Sequence, residues 1–99
     1  MDVFGALMKA EPKLGKKFMD MCITNSTVTA LDRKTFTQAY LSVQAAKGLH
    51  DGLDFHVKDA KDAGATREEV KSAIILGLPC SGVIVLTALD KALEIYDKA

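Results

Sequence analysis

Residues 63–69 read Ala63-Gly64-Ala65-Thr66-Arg67-Glu68-Glu69, and no other stretch constrains the fold so tightly. Gly64 supplies the turn that closes one helix, and Thr66 with Glu69 forms the Thr-x-x-Glu capping box that opens the next. One helix therefore stops and another starts within three residues. Apolar residues recur at spacings of three and four throughout the chain, and only the short run Val83 to Leu86 has strand character. The chain is predicted to be all-α.

The other boundaries follow from local chemistry. A short helix is expected near Asp2 to Lys9. Pro12 suits the first turn of a second helix that runs to about Cys22, with Leu14, Phe18 and Met21 inward and the polar run Thr24 to Thr29 as a loop. Asp32 offers an N-cap for a helix to about Lys47, with Phe36, Ala39, Tyr40 and Val43 on one side and Gly48 as its stop. A helix over about Leu49 to Ala63 gathers Leu49, Leu53, Ala60 and Ala63 into one arc, and His56 falls inside it. Asp51, Asp54, Lys58, Lys61 and Asp62 take the opposite side together with Phe55, an aromatic placed where a monomer would prefer a polar group. After Arg67 the next helix becomes apolar all round at Ile74, Ile75, Leu76 and Leu78. The last, about Val83 to Tyr96, has a stripe of Val85, Leu89, Ala92 and Tyr96 and leaves Val83, Ile84 and Leu86 spare. This surplus of apolar surface predicts self-association.

Composition narrows the functional classes. Ninety-nine residues, 48% hydrophobic and 26% charged, suit a single domain over residues 1–99. Thirteen basic and thirteen acidic side chains cancel, and no basic arm is present, so no nucleic-acid partner is expected. The Gly64 turn between two helices has the outline of a DNA-reading motif, but Arg67-Glu68-Glu69-Val70-Lys71 gives way at once to aliphatic residues. Cys22 and Cys80 lie far apart with no metal-ligand spacing, which suits reduced thiols in a cytoplasmic protein. Acidic Asp2 and the lack of a positive region leading into a long apolar run do not make a signal peptide. Ser72 to Leu89 is uncharged and close to membrane-spanning length, but Gly77, Pro79 and Gly82 break it, so two shorter buried helices are expected rather than a span.

The run Leu31-Asp32-Arg33-Lys34-Thr35, the central histidine, and Ala63-Gly64-Ala65-Thr66-Arg67-Glu68-Glu69-Val70 together resemble the carboxymuconolactone decarboxylase and AhpD-like alkylhydroperoxidase family. The resemblance covers about Glu11 to Ala92, with Glu11-Pro12-Lys13-Leu14 similar to the family's proline-started lead-in. It implies an all-helical domain of about five helices that assembles into trimers or hexamers. It also implies peroxidase or decarboxylase activity on a peroxide, lactone or small organic acid, with a functional histidine at His56. The peroxidase branch carries a glutamate and a C-x-x-C pair ahead of that histidine. Here those positions hold Thr37, Leu49 and Gly52. A thiol peroxidase needs an attacking thiolate and a resolving thiol, and neither leucine nor glycine can replace them.

His56 is therefore the candidate catalytic residue. It is read either as the acid/base group of a small-molecule pocket lined at Thr37, Leu49 and Gly52, or as a core histidine satisfied by backbone or water. His50 and Asp54, four apart, could share a proton or a metal, although a solvated pair on the polar face is the simpler reading. Cys80 is either a thiol activated at a helix end or a buried structural cysteine. No metal and no cofactor are expected. Two functions stay open: a family enzyme or derivative with a pocket at His56, and a non-catalytic binding or structural homo-oligomer on the same scaffold.

Overall fold

A computed structural model describes residues 2–99, which are helical between turns and include no strand. They form two compact units that divide between Leu31 and Asp32.

The first unit is a hairpin of α1 (Val3–Ala10) and α2 (Pro12–Val28), joined by Glu11 alone. Asp2 caps α1 by accepting from the Gly5 N–H at 2.8 Å, and Pro12 stands in the first turn of α2, as its fixed φ favours. The two helices meet where Gly15 passes Met8: a Cβ there would lie 3.1 Å from the Met8 Cα and run into its sulfur. Phe4 and Phe18 pack with ring centroids 5.9 Å apart. Gly15 is the only buried residue of either helix, so Leu14 and Met21, expected inward, are exposed, and Phe18 stays 44% exposed beside its Phe4 contact. The helix also continues to Val28, through the predicted loop at Thr24. The hydroxyls of Ser26 and Thr27 donate back to the carbonyls of Ile23 and Thr24, so polar side chains here solvate the last turn instead of breaking it.

The second unit holds the core. It comprises α3 (Arg33–Ala46), α4 (Leu53–Asp62), α5 (Arg67–Ile75), the short α6 (Leu78–Ser81), a 3₁₀ stretch over Gly82–Ala88, and α7 (Leu89–Lys98). α3 packs on α4 and α5, and α7 packs on both of those. Leu41, Leu53, Val57, Val70, Ile74 and Val85 are the largest fully buried side chains, and alanines 45, 60, 65, 73, 88 and 92 let the helices approach closely around them. The α4–α5 junction is as expected. Gly64 takes φ +97°; the Thr66 N–H donates to Glu69 Oε1 at 2.9 Å and the Glu69 N–H to Thr66 Oγ1 at 3.1 Å.

Three expectations need correction. α3 turns its other side inward, burying Thr37, Leu41, Gln44 and Ala45 and leaving Tyr40 and Val43 exposed. α4 begins at Leu53 rather than Leu49, because Gly52 adopts a left-handed conformation (φ +79°) at its N-cap. The preceding turn hangs from Gln44, whose carbonyl accepts from the Leu49 N–H at 3.1 Å and whose Nε2 donates to the Asp51 carbonyl at 2.8 Å. Finally, α5 ends at Ile75, Pro79 stands in the first turn of α6, and the final helix is preceded by a 3₁₀ stretch. Its three-residue period places Val85 and Ala88 on one buried face. Arg67–Lys98 has the length and composition to cross a membrane, but turns interrupt it, and it contributes Val70, Ile74, Val85 and Ala92 to the core.

Candidate functional site

His56 stands on the first turn and a half of α4, one residue before the buried Val57. Leu53, Val57 and Ala60 take the inward stripe, so His56 lies at its border and is half-buried rather than central to the core. Rings hold it on two sides. The Tyr40 ring from α3 stacks on the imidazole with centroids 4.1 Å apart and a tilt of 26°. Phe55 meets it edge-on at 5.1 Å and 89°. On a third side is the bare backbone of Gly52, where a Cβ would lie 3.6 Å from His56 Cδ2 and 3.8 Å from Nε2.

The row extends along α3. Phe36 lies 6.2 Å from Tyr40, and the Arg33 guanidinium lies 5.8 Å from the Phe36 ring centroid. Arg33 is also ion-paired with Asp59 of α4, which ties the two helices together beside the histidine. Burial pushes the His56 pKa below its ordinary value; Asp59 pulls it up and Arg33 pushes it down. The ring is therefore predominantly neutral at pH 7, with one nitrogen able to accept a proton or a hydrogen bond.

The positions that the resemblance assigns to thiols and glutamate are distributed unevenly around this ring. Gly52 is against it. Leu49 sits in the turn before α4 and is 51% exposed. Thr37 is buried on α3, and its hydroxyl donates to the Lys34 carbonyl at 2.8 Å. Cys80 lies exposed in the four-residue α6, and both cysteines are free thiols. His50 precedes α4 instead of sharing its polar face with Asp54, and its Nε2 lies 3.0 Å from Thr87 Oγ1. Lys61 lies farther along α4, donating to the carbonyls of Tyr96 and Ala99 at 3.0 Å each, with its ammonium 4.6 Å from the Tyr96 ring centroid. A groove of about 610 Å³ between α4 and α7 is lined by Asp54, Lys58, Asp90, Lys91 and Glu94 and does not include His56. No cluster of three or more metal-ligating side chains occurs among the described residues.

Sequence reasoning missed Tyr40 as a neighbour of His56, along with the Arg33–Asp59 pair. The signal was present in the spacing Arg33, Phe36, Tyr40, a single helical face, but an aromatic face reads as core. Its outward direction depends on what the opposite face buries. In comparison with known proteins, the model of the Carboxymuconolactone decarboxylase family matches residues 12–94. No curated protein and no solved structure gives a match.

Proposed function

The chain belongs to the carboxymuconolactone decarboxylase family, and from that premise we propose that it uses His56 as a neutral proton acceptor for a small organic ligand, without thiol redox chemistry. One observation carries this reading: a half-buried imidazole, its pKa lowered by burial, stacked on Tyr40 with a glycine against it where a peroxidase would place a thiol. A neutral imidazole in a partly apolar site can accept a proton near pH 7 and return it. Leu49 and Gly52 can neither attack a peroxide nor resolve a disulfide. The ligand class is a small organic acid or lactone, with a peroxide as the competing possibility.

We propose further that the protein is a cytoplasmic homo-oligomer, a trimer or hexamer. Phe55 is 65% and Val83 75% exposed, and the α1–α2 hairpin turns Leu14, Met21, Ile23 and Val28 outward. Apolar exposure on this scale marks surfaces that other protein covers. The same observation supports a second reading, a non-catalytic oligomer that keeps the scaffold alone.

The two readings separate on one substitution. Organic acids, lactones and an alkyl hydroperoxide are offered to the parent and to His56→Gln, with binding and turnover recorded. Loss of a response in His56→Gln supports the His56 site; a variant that keeps every response leaves the structural oligomer. Dithiol-dependent hydroperoxide turnover above that of a Cys22→Ala, Cys80→Ala protein would overturn the exclusion of thiol chemistry.

A further inference from the structure

We infer that Tyr40 is the positioning residue for His56: stacked against the imidazole, it fixes the ring plane and hence the directions in which the two nitrogens point. The inference rests on the reading of His56 as the working group of the site. A functional histidine is commonly held by a hydrogen bond from one ring nitrogen to a carboxylate or carbonyl, which also selects its tautomer. His50 is restrained by a hydrogen bond, though to a hydroxyl, with its Nε2 3.0 Å from Thr87 Oγ1. His56 is restrained by ring contacts instead, a stack at 4.1 Å and an edge contact at 5.1 Å.

The stack joins two elements. Tyr40 comes from the middle of α3 and His56 from the start of α4, and the Arg33–Asp59 ion pair fastens the same two helices nearby. The charged groups facing the ring are Asp59 on its own helix and Arg33 on α3. They act on the imidazole in opposite senses and are paired with each other. What remains is desolvation, to which the Tyr40 ring contributes by covering one imidazole face. Gly52 places no side chain of its own against Cδ2 and Nε2. A ring held by stacking keeps its nitrogens for a ligand, whereas one held by a carboxylate commits one of them.

The test is a proton NMR titration of His56 in the ligand-free protein. In the parent, the His56 carbon-bound ring protons should be shifted upfield by the Tyr40 ring current, and His56 should titrate below 6.5, its ordinary value. Tyr40→Phe should preserve both signatures, and Tyr40→Leu should lose the upfield shift and raise the His56 pKa towards 6.5. If Tyr40→Leu does not fold, the parent and Tyr40→Phe spectra still decide. Absence of the upfield shift in the parent, its loss in Tyr40→Phe, or an unmoved His56 titration in a folded Tyr40→Leu would each overturn the inference. Because no ligand is present, that failure is distinct from a failure of His56 to act on one.

Discussion

Gly52 and His56 stand one helical turn apart, the His56 N–H donating to the Gly52 carbonyl at 3.0 Å, and a methyl group on Gly52 would touch the imidazole at 3.6 Å. The contact distance is ordinary, so the steric fit is not the obstacle to a side chain there. The obstacle is φ +79°, a conformation that costs an L-residue roughly 1–2 kcal/mol.

Gly52→Ala should therefore lower stability by about 1–2 kcal/mol and also shift the His56 ring resonances. Gly64→Ala is the matched control: its φ is +97°, but nothing lies within 4 Å of the added methyl. Urea denaturation should show a loss in both variants, and NMR should show a displaced His56 only in Gly52→Ala. Equal His56 shifts in the two would refute the proximity.

Glu69 gives a prediction in pH. The Thr66 backbone N–H, Lys34 and Gln38 lower its pKa to about 2. A carboxylate with a depressed folded pKa stabilises the native state above its unfolded value of about 4.5, and that contribution fades as pH falls through about 2. Glu69→Gln should thus be less stable than the parent at pH 7, with the difference narrowing on acidification. A gap that stays constant from neutral to acid pH would argue against this role.

Tyr96 ties α7 to the α4–α5 junction through its hydroxyl, which donates to the Ala65 carbonyl at 2.8 Å. Tyr96→Phe should cost about 0.5–1.5 kcal/mol, the net worth of such a bond. Leu53→Ala, at a fully buried core position, should cost about 2–5 kcal/mol. Thermal unfolding of the two variants side by side checks the order; a larger loss in Tyr96→Phe would mean that the junction, rather than the core, limits stability.

Self-association is tested at the exposed rings and aliphatics. Phe55→Ser and Val83→Ser remove apolar groups that the subunit itself leaves uncovered, so each should leave the helical spectrum intact while lowering the mass measured by light scattering. A parent that is monomeric at micromolar concentration would remove the oligomer from the proposal.

The parts of this fold legible in the sequence are those written in local chemistry. Gly48, Gly64, Asp32 and the Thr66–Glu69 pair mark helix ends by turn geometry and backbone capping, which act over a few residues. The orientation of α3 was not legible. Its inward face carries Thr37, Ser42 and Gln44, whose hydroxyls and Nε2 donate to the carbonyls of Lys34, Ala73 and Asp51 while Gln44 Oε1 is left without a protein partner, and a face this polar reads as surface. Its outward face carries Phe36, Tyr40 and Val43 and reads as core. The histidine at the site was found, but the Tyr40 stack depends on how α3 is rotated against α4. Periodicity alone does not choose between the two faces of such a helix.

The 3₁₀ stretch sets a further condition on the chain. Over Gly82–Ala88 each residue advances the backbone by about 120° and about 2.0 Å, against about 100° and about 1.5 Å in an α-helix. Rewinding all seven residues as α-helix would shorten the segment by about 3.5 Å and rotate α7 by roughly 140°. Deleting one residue would turn α7 by a third of a revolution, carrying Ala92 and Ile95 off the core they now line. The segment is thus the phase-setting part of the C-terminal half, and its length is quantised.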